Sequence, residues 1–301
     1  MRLKDIWGFL KEIFSEYSEN KIPKLGASLA YYTIFSIAPL LIIVIAVAGF
    51  IFGKDAAQGQ LYGQIKSMVG NEAAVLVQTA IKNSSSSSAG IIATVVGIIT
   101  LIIGATAVFI EIQDSLNIIW RVKPKANKPL KEFLRTRFTS FALVISIGLL
   151  LMVSLVISAA ISALTDIIDK YLHVPGYLFQ LIDVVLSLSV IFVLFSMIFK
   201  MLPDVELSWK DVRIGALVTT ILFVTGKYLI GLYLGRSSVS SVYGAASSLA
   251  IILVWIYYSS QILYLGAEFT YVYAVRYGSG VKPTAYADAV TIQKVSPIVE
   301  H

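Results

Sequence analysis

The sequence has no cysteine, and only two histidines in 301 residues. The first absence removes disulfides, thiolate nucleophiles and Cys-ligated zinc or iron–sulfur centres. The second leaves His173 and His301 far apart, so neither HExxH nor any other two-histidine site can be built, and no metal or cofactor is expected. Charge is scarce too: Asp, Glu, Lys and Arg make up 14% of the chain, against roughly 25% in an ordinary soluble domain. Apolar residues fill the gap. A 57% hydrophobic content and a mean hydropathy of +0.81 exceed what a soluble core can hide, which predicts an integral membrane protein solvated in part by lipid.

A span needs about 20 mostly apolar residues, and six stretches qualify: 27–52, 90–110, 138–164, 177–201, 212–234 and 244–274. The expected fold class is therefore all-α, a polytopic protein with six transmembrane helices. Residues 1–274 form one membrane domain and 275–301 a loosely ordered tail. With Lys200 and Arg213 assigned to the turn between the fourth and fifth spans, one side carries 18 Lys and Arg and the other five, with Lys227 inside the fifth span. The positive-inside rule places both termini in the cytoplasm. Topology thus accounts for the net charge of +6, and membrane lipid rather than nucleic acid is the expected partner.

No cleavable signal peptide is expected, because the first apolar stretch begins late and is long enough to span. Residues 1–24 form an amphipathic segment: Leu3, Ile6, Trp7, Leu10, Ile13, Phe14 and Tyr17 follow helical spacing. Such a helix either lies on the cytoplasmic leaflet or packs on the protein's own loops. Between the first two spans, 53–89 is the longest outer segment, and it ends in a flexible run of serines, 84–88.

Ionisable groups at membrane depth are costly unless paired or hydrated, which makes them functional candidates. Lys227 stands about 15 residues, near 22 Å, from the cytoplasmic start of its span. Asp183 in the fourth span lies at a similar depth, where the two could form an ion pair or could each snorkel to the outer surface. Tyr257, Gln261, Tyr264, Glu268 and Tyr271 are spaced +4, +3, +4, +3 and share one helical face. A polar stripe of that length must meet water or other helices, so it lines a pathway or bonds helices together. Ser28, Tyr32 and Ser36 recur every four residues before Pro39, where a helix kink is expected and an interruption could expose backbone to substrate. Glu111, Asp114 and Asn117 follow the second span and could form a cytoplasmic acidic cluster with Glu268, or neutralise Arg121, Lys123 or Arg213. Gly231 with Gly235, and Ala93 with Gly97, have small-xxx-small spacing that permits close helix approach and a homodimer.

These residues sit in recognisable segments: GASLAYYTIFSIAPLL (26–41), IQDSLNIIW (112–120), LPDVELSWKDVRIGA (202–216), LFVTGKYLIGLYLG (222–235) and VYGAASSLAIILVWIYYSSQILYLGAEFT (242–270). In their order they resemble the YihY/BrkB family of prokaryotic inner-membrane proteins, from Gly26 to about Tyr273. One departure is Ser247-Ser248, where the family pattern implies a glycine. The resemblance implies a multi-pass protein of the cytoplasmic membrane, with inherited labels of ribonuclease BN, virulence factor and lipid or solute transporter.

A ribonuclease needs a metal cluster or a positioned acid/base pair at an aqueous face, which this composition lacks. No catalytic residue is therefore assigned and no enzymatic activity is expected. The expected function is a transporter or exporter of an anionic lipid, glycolipid or small solute. Its pathway candidates are Tyr32, Ser36, Lys227, Tyr257, Gln261, Tyr264 and Glu268, with Lys227 facing an anionic group. A non-transporting structural or regulatory membrane protein is the alternative, and an intramembrane enzyme using Glu268 and Tyr264 ranks last.

Overall fold

A computed structural model describes residues 3–52, Tyr62, Gln78, 91–125, Ala142, Ser146, Leu150, 177–236 and 247–290. The third expected span, apart from three single positions, lies outside the described residues. So do nearly all of the 53–89 segment and the tail from 291. The described chain runs as α1 (Leu3–Glu19), α2 (Ile22–Phe52), α3 (Ile91–Ile119), β1 (Val122–Pro124), α4 (Tyr177–Met201), β2 (Val205–Glu206), α5 (Trp209–Arg236), α6 (Ser247–Arg276), β3 (Lys282–Pro283) and β4 (Ala287–Ala289). Three of these helices are long and apolar enough to cross a membrane, over Val184–Met201, Trp209–Ile230 and Leu249–Arg276. The chain is a predominantly helical membrane protein.

The helices overrun the apolar stretches that mark them. Helix α2 starts at Ile22, five residues ahead of the expected span, because Pro23 fits a first helical turn that has no donor to spare. Ile22 is itself fully buried. Helix α3 continues to Ile119, so Glu111, Asp114 and Asn117, beyond the apolar span, still belong to its last turns. Helix α2 also continues on both sides of Pro39, which therefore does not interrupt it; the side chains from 38 to 52 are outside the described residues.

Two helix ends turn on residues with left-handed backbone. Lys21 (φ 54°) closes α1 and Arg121 (φ 55°) closes α3. A side chain in that conformation costs roughly 1 kcal/mol where glycine would cost nothing. At each end the chain bonds back to the preceding turn, Asn20 N–H to Glu16 O at 2.8 Å and Trp120 N–H to Leu116 O at 2.9 Å.

Burial is uneven along the bundle. The core gathers where α3 and α4 end, α5 begins and α6 ends, around Leu116, Ile119, Trp120, Phe199, Leu202, Val212 and Tyr264. Away from that end the same helices expose apolar rows, such as Leu181, Ile182, Val184 and Val185 on α4, and Tyr228, Leu229 and Leu232 on α5. Apolar surface of that extent requires an apolar solvent, as in a lipid-facing surface. Helix α6 is central, packing on α1, α2, α3 and α5.

Residues 278–290 depart from the expectation of a loosely ordered tail, whose remainder lies outside the described residues. After α6 the chain turns at Gly280 (φ 76°) and enters two short antiparallel ladders, β3 with β2 and β4 with β1. Val122 pairs with Ala289 and Val205 with Pro283. Scattered charge and two prolines concealed this, because a two-residue strand leaves no periodic pattern and its stability comes from partners far away in sequence.

Candidate functional site

The polar face of α6 points into the junction formed by the end of α1, the start of α2 and the end of α3. Tyr264 and Glu268 are completely buried, Gln261 and Tyr271 are half-buried and Tyr257 is 38% exposed. Four hydrogen bonds tie this part of α6 to its surroundings. Asn20 Nδ2 donates to Glu268 Oε1 at 2.7 Å, and the Tyr17 hydroxyl donates to Gln261 Oε1 at 2.5 Å. Trp120 Nε1 donates to the carbonyl of Ala267 at 3.3 Å, and Ser260 Oγ to that of Gly26 at 3.2 Å. Gly26 is required for this approach, since a Cβ there would fall 2.0 Å from Gln261 Nε2.

Arg121 closes the junction. Its guanidinium donates to both oxygens of Glu16, at 2.7 and 2.6 Å, and lies 5.6 Å from the centre of the Tyr271 ring. Burial works against its charge, but Tyr271, the hydrogen bonds and charge of Glu16, and the charge of Glu19 outweigh it and hold the group above its ordinary range. Burial, and next Tyr257, push the Tyr17 hydroxyl above the ordinary tyrosine range.

Satisfaction is incomplete at this site. Among the described residues Glu268 Oε2, Gln261 Nε2 and Arg121 Nε are buried without a hydrogen-bond partner, while the Tyr264 hydroxyl and Ser115 Oγ face only each other, outside good hydrogen-bond geometry. Leaving one such atom unpaired costs roughly 1–3 kcal/mol. Such atoms leave hydrogen-bonding capacity in the junction for water or a ligand.

The α5–α6 contact is of another kind. Thr219 of α5 packs on Gly266, and Thr270 of α6 packs on Gly215, so each threonine fills the space above the other helix's glycine. Each hydroxyl is satisfied locally, by Gly215 O and Gly266 O, at 2.7 and 2.6 Å. Further along, Tyr258 occupies the space over Gly226. The sequence pointed instead to Gly231 with Gly235 and Ala93 with Gly97, whose surroundings lie outside the described residues. A glycine–threonine pair four apart could have been sought on both helices.

The remaining candidates are dispersed. Lys227 is half-buried on α5 and has no ion pair among the described residues; the Asp183 side chain lies outside them, although α4 and α5 pack together. Tyr32 is 41% exposed, with its ring edge-on to Tyr31 at 5.7 Å, while Ser36 is buried. Glu111 is half-buried and Asp114 exposed. Arg121 is engaged by Glu16 of α1, and no acidic or histidine group of three placed to hold a metal occurs among the described residues. Asn117 serves a loop rather than an acidic cluster, donating to Asp204 Oδ2 at 3.1 Å and accepting from Asp204 N–H at 2.9 Å. Sequence reasoning gave Glu16, Tyr17, Asn20 and Arg121 no place on this face; the first three come to it with α1 and Arg121 from the end of α3.

Known proteins resemble this chain over most of its length. A family profile described as virulence factor BrkB matches residues 13–290. A UPF0761 membrane protein of Aggregatibacter aphrophilus is 28% identical over 280 residues, covering 88% of this chain and 92% of that protein. One from Tolumonas auensis is 27% identical, covering 83% and 80%. Another, from Ralstonia nicotianae, is 27% identical, and the chain spans only 55% of its length. No solved structure matches.

Proposed function

Since the chain belongs to the virulence factor BrkB family of membrane proteins, we propose that it moves an anionic lipid, glycolipid or small solute across a prokaryotic cytoplasmic membrane. In this reading six helices span the membrane and both termini are cytoplasmic, as the distribution of Lys and Arg favours. The polar face of α6 forms the inner part of the pathway. The observation that carries the reading is the set of unpartnered buried atoms along that face and opposite it. A face that only glued helices together would satisfy its own donors and acceptors, as the α5–α6 seam does.

Within this proposal Tyr257 and Lys227 stand at a common level. Gly226 abuts Tyr258, so their sequence neighbours lie beside the same stretch of the antiparallel α5–α6 pair. A half-buried lysine with no ion pair among the described residues suits a phosphate or carboxylate headgroup. The proposal assigns no catalytic role, and a second copy of the chain is compatible with the exposed apolar rows without being required by them.

The alternative is a structural or regulatory membrane protein, favoured by the way α6 is bonded to α1, α2 and α3 at once. Proteoliposomes separate the two. Flux of labelled anionic phospholipid, glycolipid or organic anion, reduced by Lys227→Met and Gln261→Ala with fold retained, supports transport. Absence of flux for all three classes with folded protein overturns it in favour of the scaffold.

A further inference from the structure

A fully buried carboxyl can keep a negative charge only where cations or several donors replace the water it has lost. Glu268 has little of either. Asn20 supplies one hydrogen bond to Oε1, and Oε2 has no donor. The cation acting on it, Arg121, has both Glu16 oxygens on its guanidinium. Helix α1 adds the negative charges of Glu16 and Glu19 on the same side. On its own helix the flanking titratable groups are Tyr264 and Tyr271, one turn to either side. Among the described residues no charged side chain of α2 or α5 acts on it.

Two acidic neighbours against one engaged arginine leave an ionised Glu268 repelled on balance as well as desolvated. We infer that Glu268 is a proton-binding site, carrying its proton while α1 is docked and losing it when the turn between α1 and α2 withdraws and admits water. In that step the carboxyl O–H bond breaks, the proton passes to water and the carboxylate remains, so the chain's net charge falls by one. Asn20 is a positioning residue at the turn itself, and its hydrogen bond favours the ionised form of Glu268. The inference rests on the transport reading for its use, which is to couple a proton to substrate movement. Its chemistry can be measured without any substrate.

The test is infrared difference spectroscopy of the full chain in liposomes. The expected result is a protonated-carboxyl C=O band at neutral pH that is absent from Glu268→Gln and is lost from the wild-type protein as pH rises. A band shared equally by wild type and Glu268→Gln, or absent from both, overturns the inference. If Glu268→Gln does not fold, Asn20→Ala replaces it: loss of the one donor to the ionised form should tighten proton binding about tenfold, moving the loss of the band to higher pH. An unmoved band overturns the inference. Because the band is read without flux, failure of the transport assay and failure of the proton site are separate outcomes.

Discussion

Replacing Gly266 by alanine probes the closest contact between α5 and α6. A Cβ at that position would stand 2.0 Å from Thr219 Oγ1, 2.7 Å from its Cγ2 and 2.8 Å from its Cβ. Carbon atoms settle at about 3.5–4.0 Å, so the helices must part by about 1 Å along a seam where Thr219 and Thr270 are both 0% exposed. The threonine cannot easily swing away, since its hydroxyl donates to Gly215 O at 2.7 Å and its branched side chain has few rotamers in a helix. Overpacking of this kind costs about 1–3 kcal/mol, and alanine returns about 1 kcal/mol of helix propensity. The expected net loss is about 1 kcal/mol. Gly8 in α1 is the control: a Cβ there meets only the Arg276 guanidinium, at 3.9 Å, so Gly8→Ala should gain about 0.5–1 kcal/mol. Thr219→Ala removes the two nearer atoms, so the double variant should lose about 1 kcal/mol less than the two single changes added. Denaturation midpoints in one fixed bicelle composition compare the four variants with wild type. A Gly266→Ala protein as stable as wild type, with Gly8→Ala behaving as stated, would refute the reasoning.

Three further predictions concern α1. Glu16→Ala strands the guanidinium of Arg121, whose side chain is 29% exposed, and should cost about 1.5–3 kcal/mol; a double-variant cycle with Arg121→Ala checks that the loss belongs to the pair. Phe9, Ile13 and Tyr17 dock α1 on the protein while Trp7 and Phe14 remain 72% and 62% exposed, so spin labels at 7 and 14 should be shielded from aqueous relaxants in liposomes and one at Ser15 should not. The chain has no native cysteine to compete for such labels, and equal aqueous access at all three positions would remove α1 from the lipid surface. The folded state holds the Tyr17 proton more tightly than the unfolded chain, through burial and then Tyr257. The resulting stability is complete below pH about 10 and declines as the folded group ionises, so the alkaline fall in stability should be shallower in Tyr17→Phe.

The helical membrane class and the polar face of α6 were readable because both are local. An apolar run announces itself, and spacings of three and four put Gln261, Tyr264 and Glu268 on one face wherever the helix goes. What that face meets is not local. Tyr17, Asn20 and Arg121 come from residues some 150 to 250 positions away, and nothing in their own neighbourhoods marks them as partners. Arg121 looked like one of many topology-setting cations, yet its left-handed backbone turns it back toward Glu16. The amphipathic stripe of α1 predicted an interfacial helix with two alternative coverings. Its two edges divide the work, one packed on α6 and the other left open. The strands of the tail were illegible because two or three residues carry no period.

Those strands have a mechanical consequence. By tying the segment after α6 to the turns that follow α3 and α4, they clasp one end of the bundle, with Ser279 also donating twice to the buried Asp211 near the start of α5. A helix of 30 residues is about 45 Å long. If it pivots on a clasped end by about 10°, its free end travels about 8 Å. Any rotation about that end would be levered, small at the laced end and large at the other, with the polar junction beside the fulcrum.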